Sequence, residues 1–322
     1  MNKTIELIRT VWVQLHDMYL YLCRHAIIVN GYVDDYTWGD IRHRNWGDDL
    51  NYYFLQQLTG RPIVMFHNFK LAKWFHLNNY LCIGTLLDAV KYSNAQTIVW
   101  GSGVSGQERS FVHPENILAV RGPKTKAFCN RYGVACPEVY GDPALLLPLV
   151  YQPRRGVKGS IAASSVQKVQ KAFYRLGIIP HVVDLHHPVI EEIRDKHADE
   201  ILIIDLANYE KWTDVIDQIC SCECILSSSL HGLIASDAYQ VPNCWIELSG
   251  KISGGYFKYL DYASSVDRVF STPKRIEKFA DVADVTNHAD SYFSCADTEK
   301  VKELQDGLIA VAPFMLKILH RS

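Results

Sequence analysis

The chain has 322 residues, 48% of them hydrophobic, and this length favours two domains over one. Lysine and arginine number 33 against 35 aspartates and glutamates, a formal net charge of -2. No global field therefore favours nucleic acid, and any bound anion must be held by local cations. The 9 cysteines show no recurrent framework and predict reduced thiols in a cytoplasmic protein.

The first predicted element is an amphipathic helix within residues 1–22. Its apolar positions recur at three- and four-residue steps: Ile8, Val11, Trp12, Leu15, Met18, Tyr19 and Leu22. Arg9, His16 and Asp17 interrupt the apolar run, which excludes a membrane-spanning helix and a signal sequence. Either the apolar face packs against the protein, or it contacts the inner face of the cell membrane through Trp12, Tyr19 and basic residues.

Short apolar strands then alternate with helical patterns. In the first half, strands are predicted at 26–30, 97–100 and 117–120, with helices at 49–58 and 124–132. After a proline-rich basic linker, a second series of strands is predicted at 160–163, 181–185, 201–205, 224–227 and 244–246. This alternation is typical of parallel sheets covered by helices on both faces. The prediction is an α/β fold with two Rossmann-like domains, 1–150 and 151–322, facing each other across a cleft.

The most informative stretch is ILSSSLHGLIASDAYQVP at 225–242, which has the pattern of a strand, a polar turn and a helix. Ser227, Ser228 and Ser229 could cap the helix, and with the amides of Leu230 and Gly232 they are the predicted cradle for a phosphate group. His231 would lie in the first helical turn, within reach of that anion. The alternative is that the serines only cap the helix and His231 packs inside.

Two further stretches also lie where a predicted strand gives way to a loop and helix. In RNWGDDLN, Asn45 and Gly47 precede Asp48, which either caps a helix or accepts a hydrogen bond from a sugar hydroxyl. In IVWGSGVSGQE, the residues Gly101, Ser102 and Gly103 would let backbone amides approach a ligand.

A third stretch, LAVRGPKT, carries an arginine at the end of a predicted strand. Arg121 suits bidentate binding of a carboxylate or phosphate. A surface ion pair is the alternative for this side chain.

The motifs NWGDDL, WGSGVSG, VRGPKT, YGDPALLLP and SSSLHGLIASDAYQVP occur in this order, and with them the chain resembles the polysaccharide pyruvyl transferase family. The resemblance covers about two-thirds of the chain. It implies a fold similar to the GT-B glycosyltransferases, with an acceptor-side domain at 1–150 and a donor-side domain at 151–322. Phosphoenolpyruvate would be the donor and co-substrate, with no other cofactor. A bacterial surface polysaccharide or its lipid-linked precursor would be the acceptor that receives a pyruvate ketal.

The resemblance also implies roles for individual residues. Arg121 matches the arginine that holds the donor, His231 matches the general acid, and Lys251 falls near a donor-binding lysine. Asp48 would orient or deprotonate the acceptor. Many members carry an arginine two positions before the histidine, where this chain has Ser229, so donor binding would depend more on Arg121, Lys251 and backbone amides.

Other patterns leave two different functions open. A GT-B glycosyltransferase that uses a nucleotide sugar would need a carboxylate for the ribose, and Glu247 could supply it. A glycan-binding protein without catalysis would be consistent with Ser229, which stands where many family members carry an arginine.

No metal site is predicted, although two patterns raise the question. The cysteines at 220, 222 and 224 suit one face of a buried strand better than a zinc site, and His186 and His187 read as loop residues. The tyrosines at 256, 259 and 262 share a helical face and are predicted to pack in the core, with sugar stacking as the alternative.

Overall fold

The computed structural model describes residues 3–33, 45–89, 92, 94–107, 112–153, 174–252 and 254–317. Its α-helices are α1 (Lys3–Arg24), α2 (Trp46–Asp49), α3 (Tyr53–Thr59), α4 (Lys70–Trp74), α5 (Pro123–Arg131), α6 (Leu147–Val150), α7 (Pro188–Lys196), α8 (Trp212–Cys220), α9 (Leu230–Ala238), α10 (Phe257–Ser265), α11 (Phe279–Asn287), α12 (Ala289–Tyr292) and α13 (Thr298–Ala310). Its strands are β1 (Ile27–Val29), β2 (Ile63–Met65), β3 (Asn79–Leu81), β4 (Thr97–Trp100), β5 (Asn116–Ala119), β6 (Tyr174–Ile179), β7 (Ile201–Ile203), β8 (Cys222–Ser227), β9 (Asn243–Glu247) and β10 (Lys274–Arg275).

The chain divides into two compact units. Unit 1 comprises Met1–Val150, Gly254–Ser271 and Asp297–Ser322, and unit 2 comprises Tyr151–Ser253 and Thr272–Ala296. The sequence division assigned all of 151–322 to the second domain, whereas α10 and α13 belong to unit 1. One physical reason is visible in α13, where the Leu308 carbonyl accepts a hydrogen bond of 3.0 Å from the indole of the buried Trp100.

Each unit contains a five-stranded sheet in which the paired strands are parallel. Unit 1 has the order β2-β1-β3-β4-β5, and unit 2 has the order β10-β9-β8-β6-β7. Both orders have one pattern, because the first strand of each unit lies between the second and the third. The prediction of an α/β fold with two parallel sheets is therefore confirmed.

This strand order defines one position per sheet where ligands commonly bind. In open parallel sheets the crevice lies beyond the carboxyl ends of the strands, where the order reverses direction. That switch point lies between β1 and β3 in unit 1 and between β6 and β8 in unit 2.

Two of the predicted elements take a different form in the described residues. The strand predicted at 181–185 is wrong, since β6 precedes it and Val182–Asp184 form a 3-10 helix capped by the His181 ring. The helix predicted at 49–58 is two helices, α2 and α3, because the Asn51 amide between them bonds to the backbone of Ile83. The strand predicted at 160–163 lies outside the described residues.

Several local predictions are confirmed or refined. α5 begins and ends within one residue of its predicted bounds, and His187 immediately precedes α7. Tyr259 and Tyr262 are buried, so core packing is right for both, while Tyr256 is exposed. Cys222 and Cys224 lie on β8 as predicted, but Cys220 ends α8.

Helix α1 forms where predicted, with the opposite face turned inward. Met18, Leu20 and Tyr21 pack on the core around Ile28 and Phe69, and Gln14 and Asp17 are also buried. The predicted apolar face is largely exposed. Of the two alternatives for this face, packing against the protein is therefore wrong for every residue except Met18.

Candidate functional site

The switch point of unit 2 is built by the serines that follow β8. The Ser228 hydroxyl accepts a 2.8 Å hydrogen bond from the His181 N–H, and the Ser228 N–H donates to the Ile179 carbonyl at 3.1 Å. The Ser227 hydroxyl accepts from the Ser229 N–H at 3.1 Å and donates to the Ser229 carbonyl at 2.8 Å. These hydroxyls bond to the end of β6 and to the residue after Pro180, and they shape the turn. Substrate binding by the three serines stays a prediction.

Helix α9 begins at this turn without a side-chain cap. Ser229 is the N-cap residue, and its side chain makes no capping hydrogen bond. The predicted capping by serine is therefore wrong. The first turn, Leu230 to Gly232, presents backbone N–H groups at the positive end of the helix dipole, which is an arrangement that favours an anion.

His231 occupies the second position of α9 and is 9% exposed. Its neighbour Gly232 has a packing role, because a Cβ there would lie 2.4 Å from the Ser227 hydroxyl and 3.0 Å from the Ile179 side chain. The glycine thus lets α9 lie against β6 and β8. Ligand binding by the Gly232 amide stays a prediction.

A buried carboxylate lies beyond the neighbouring strands of unit 2. Asp184 is 2% exposed, and its carboxylate accepts a hydrogen bond from the Ser249 hydroxyl in the loop after β9. The Ser249 hydroxyl also accepts from the backbone N–H of Lys251 at 3.2 Å. The Lys251 side chain is exposed, so it is available to a ligand, as its predicted role requires.

The switch point of unit 1 contains Asp48. Asn45 is the N-cap residue of α2, and its amide donates to the Asp48 carboxylate at 2.6 Å. Asp48 is therefore not the N-cap that the sequence left as an alternative. A Cβ built on Gly84, after β3, would lie 3.7 Å from the other carboxylate oxygen of Asp48. Gly47 lies buried within α2.

Arg121 forms a buried ion pair in place of the surface pair considered from the sequence. Its side chain has no exposed surface, and Nε donates to Asp261 Oδ2 at 3.0 Å. Nη1 donates to the Thr85 hydroxyl at 2.7 Å, and Nη2 to the Val104 carbonyl at 2.9 Å. The guanidinium therefore holds the chain that follows β3 and β4. Direct donor binding by Arg121 stays a prediction.

Asp261 also caps helix α5 from α10. Its carboxylate accepts from the Thr125 N–H at 2.9 Å and from the Thr125 hydroxyl at 2.7 Å. A Cβ on Gly122 would lie 2.2 Å from the Asp261 carbonyl, so this position requires glycine. The sequence RGPKT thus has a structural function, since the contacts of Arg121, Gly122 and Thr125 with Asp261 hold this segment against α10.

The glycine loop after β4 is held by the protein itself. Gly101 and Gly103 donate their N–H groups to the carbonyls of Ala119 and Gly84, and the Ser102 hydroxyl donates to Gly84 at 3.0 Å. A Cβ on Gly103 would lie 2.3 Å from the Arg121 guanidinium carbon. The amides of Gly101 and Gly103 are therefore used within unit 1, and the glycine at 103 makes room for the arginine.

Two titratable groups near this loop were not found from the sequence. The pKa of Lys258 is lowered to about 8, mainly by burial and also by the positive charge of Arg121, while the negative charge of Asp48 acts in the opposite direction. Burial raises the pKa of Asp142 to about 7, against the hydrogen bond from the Ala144 N–H and the charge of Arg121. The shift in Lys258 indicates that this lysine, Asp48 and Arg121 lie close enough to interact electrostatically.

The signals for the missed residues were weak. Asp261 stands between tyrosines on a helical face that was predicted to be buried, which favours a paired charge there. Lys258 lies one turn before it on the same helix. The position of Asp142 in YGDPALLLP was noted without a role, and it caps the 3-10 helix Pro143–Leu146 through Ala144.

The structure also shows where the histidines and Glu247 lie. His186 is exposed beside Glu191, and the His197 ring stacks on Phe279. Glu247 ends β9 and pairs through its backbone with Arg275 of β10. Within the described residues, no group of three or more His, Cys, Asp or Glu side chains could hold a metal ion. No described helix combines the length and hydropathy that a membrane span needs.

Comparison with known proteins identifies related sequences. A family model described as polysaccharide pyruvyl transferase matches residues 15–250. The uncharacterized protein L143 of Acanthamoeba polyphaga mimivirus is 24% identical over 227 residues, which cover 70% of this chain and 71% of that protein. The succinoglycan biosynthesis protein ExoV of Rhizobium meliloti is 28% identical over 245 residues, which cover 75% of this chain and 67% of that protein. No solved structure matches the chain significantly.

Proposed function

The chain belongs to the polysaccharide pyruvyl transferase family, and we propose that it transfers the enolpyruvyl group of phosphoenolpyruvate to two hydroxyls of a sugar, forming a pyruvate ketal. The acceptor would be a bacterial surface polysaccharide or its lipid-linked precursor. The relative ExoV is named as a succinoglycan biosynthesis protein, which supports an acceptor of this class. The observation that carries the proposal is His231 in the first turn of the uncapped helix α9, at the switch point of unit 2.

The donor carries a phosphate and a carboxylate, so it needs several positive or hydrogen-bond-donating groups. The first-turn amides of α9 would bind one anionic group, and the exposed Lys251 would supply a cation. Arg121 would position other residues, because its hydrogen bonds to Thr85, Val104 and Asp261 hold the loops after β3 and β4.

His231 would supply the proton that starts the reaction. Protonation of the methylene carbon of phosphoenolpyruvate leaves positive charge at C2, and one sugar hydroxyl adds there and loses its proton. The phosphate then leaves with its bonding electrons, and the second hydroxyl adds to C2 and loses its proton to close the ketal. A histidine can donate the first proton and accept a later one, because its ordinary pKa is near 6.5.

Asp48 would bind and orient the acceptor in unit 1. One carboxylate oxygen is held by the Asn45 amide at 2.6 Å, which fixes the side chain, and the other is beside Gly84. Lys258 would add a cation near the same carboxylate. Together they would hold acceptor hydroxyls by accepting and donating hydrogen bonds.

The proposal is tested first by thermal denaturation with phosphoenolpyruvate, phosphate, UDP or a glycan. A ligand at about 100 times its Kd stabilises a native protein by about 2.7 kcal/mol, which is a measurable shift. We expect stabilisation by phosphoenolpyruvate and none by UDP. Stabilisation by UDP alone would indicate a nucleotide-sugar glycosyltransferase, and stabilisation by a glycan alone would indicate a binding protein.

A mutation then tests the role of His231. With acceptor glycan present, His231→Gln is expected to slow phosphate release by about 10²- to 10⁴-fold, the usual contribution of a general acid. His186→Gln is the matched control, since His186 is exposed in the same unit. An undiminished rate in His231→Gln would refute the general-acid role.

A further inference from the structure

Helix α1 carries an exposed apolar face. Its outward residues are 48% to 65% exposed and comprise Ile5, Leu7, Ile8, Val11, Trp12, Leu15, Tyr19 and Leu22. A helix on the surface of a soluble protein normally turns its apolar side toward the core. Here the inward side contains the polar residues Gln14 and Asp17, both buried.

The orientation of α1 is fixed by specific contacts. The Gln14 amide donates to the Asn68 carbonyl at 2.7 Å, and its oxygen accepts from the Leu71 N–H at 3.1 Å. Met18, Leu20 and Tyr21 complete the inward side by packing on the core. The apolar side faces outward because Gln14, on the polar side, bonds to the loop before α4 and to the first turn of α4.

The neighbouring helix α4 adds two exposed aromatic residues. Trp74 is 74% exposed at the end of α4, with Phe75 exposed and stacked beside it. Helix α4 contacts α1. Exposed apolar patches of this kind mark sites of interaction with another protein or a membrane.

The charges beside this surface favour an anionic partner. The sequence from 50 to 87 contains no acidic residue, while it contains Arg61, Lys70 and Lys73. Arg61 Nε donates to the His25 carbonyl at the end of α1, and Arg24 and Arg9 are exposed on α1 itself, where Glu6 is the exposed acidic residue. This basic composition contrasts with the net charge of -2 for the whole chain.

From these observations, we infer that the outward side of α1, with Trp74 and Phe75, binds the surface of a bilayer that contains anionic lipids. The apolar side chains would enter the headgroup region, the aromatic rings would lie at the interface, and the basic residues would bind lipid phosphates. A second copy of the chain is disfavoured because a two-fold contact would bring the same basic residues together. The inference does not depend on the proposed transferase activity.

The first test is cosedimentation of the full chain with vesicles. One set contains phosphatidylcholine alone, and the other contains equal parts phosphatidylcholine and phosphatidylglycerol. We expect binding to the anionic vesicles, little binding to the neutral ones, and weaker binding at about 1 M salt, where charges are screened beyond about 3 Å. Equal binding to both vesicles, or to neither, would overturn the inference.

Two variants test the surface itself. Leu15→Glu should reduce binding more than about tenfold, because it replaces a side chain that would be buried in the bilayer. Lys70→Glu should reduce binding to anionic vesicles about 30-fold, since each charge near the surface is worth about 1 kcal/mol. Both positions are exposed, so both variants should fold, and circular dichroism and thermal denaturation check this.

The controls make the same chemical changes elsewhere. Val269→Glu changes an exposed apolar residue in the loop after α10, and Lys302→Glu changes an exposed lysine on α13. Both should bind like the wild type. Loss of binding in all four variants would indicate only a response to net charge. A dimer in solution that Leu15→Glu dissociates, without vesicle binding by the wild type, would identify a second copy as the occupant.

Discussion

The two switch points share a strand order and differ in how they are stabilised. In unit 1 the residues at the carboxyl ends are held by charged side chains, above all the buried pair of Arg121 and Asp261. In unit 2 they are held by backbone groups and serine hydroxyls, as in the bond from the His181 N–H to Ser228. The strand order fixes where a ligand can bind, and the side chains determine which chemistry is available there.

The two sites also differ in how far apart in the sequence their residues lie. The unit 2 site is largely formed by the continuous stretch 225–242, in which a strand, a turn and a helix follow one another. The unit 1 site requires Asp261, which is 140 residues from Arg121 in the chain. A mutation at the unit 1 site should therefore lower the free energy of unfolding more than a mutation at the unit 2 site, which removes a local contact.

The largest effect is expected for Arg121→Ala. Removal of one partner of a buried ion pair leaves the other charge uncompensated and costs about 3 to 5 kcal/mol. We expect this loss in the free energy of unfolding of unit 1, measured by urea denaturation in the absence of ligand.

Two further variants show whether the pair is the cause. Arg131→Ala, at the exposed end of helix α5, which begins two residues after Arg121, should change stability by less than about 0.5 kcal/mol. The double change Arg121→Met and Asp261→Asn should recover part of the loss, because no unpaired charge remains and the asparagine oxygen can still accept from Thr125. Wild-type stability in Arg121→Ala would contradict the structural role and favour a side chain that binds only the donor.

Lys258→Met should alter the pH dependence of unit 1. The folded-state pKa of about 8 lies below the ordinary value of 10.5, so the unfolded chain binds more protons between these values. Wild-type stability should therefore rise as the pH increases from 8 to 10.5. Below pH 8 the buried charge is destabilising, and its removal should stabilise unit 1 by about 1 to 3 kcal/mol.

Denaturation of both proteins at pH 7 and pH 10 measures this effect. The advantage of Lys258→Met at pH 7 should shrink toward pH 10, where the wild-type lysine is neutral in the folded state. A variant that is less stable at pH 7 would show that attraction to Asp48 outweighs burial.

Sequence reasoning succeeded where the determinants were local. The bounds of α5 follow from Pro123 at its start and from its periodicity, and the strand, turn and helix at 225–242 follow from one apolar run and a serine cluster. Parallel sheets follow from the alternation of elements, whose order repeats in both units.

It failed where a distant residue decided the outcome. Periodicity identified the apolar side of α1, but the bonds of Gln14 to Asn68 and Leu71 determine which side faces the core. Arg121 was recognised as important, and its partner Asp261 on α10 has no local signal that links the two. The run at 181–185 resembles a strand, yet the His181 ring caps a 3-10 helix there.

Gly232→Ala tests the close packing in unit 2. A Cβ would lie 2.4 Å from the Ser227 hydroxyl and 3.0 Å from Ile179, and overpacking of this kind costs about 1 to 3 kcal/mol. We expect a corresponding fall in the thermal midpoint of unit 2. The matched control is Gly307→Ala on α13, where a Cβ would meet Val139 at an ordinary 3.6 Å, and alanine should stabilise the helix. Equal effects of the two changes would contradict the packing role of Gly232.

The smallest effect is expected for Ser228→Ala. This variant removes the acceptor of the His181 N–H, a bond of 2.8 Å that joins the residues after β6 to those after β8, and should cost about 1 kcal/mol. Ser291→Ala, at an exposed position on α12 in the same unit, should leave stability unchanged. Hydrogen exchange at the His181 amide provides the decisive measurement, because loss of this one bond should accelerate exchange there before unit 2 unfolds. Unchanged exchange would show that the backbone bond from Ser228 to Ile179 holds the switch point without the hydroxyl. The contrast with unit 1 would then sharpen, since a main-chain bond would hold this connection in unit 2 where a charged side chain does so in unit 1.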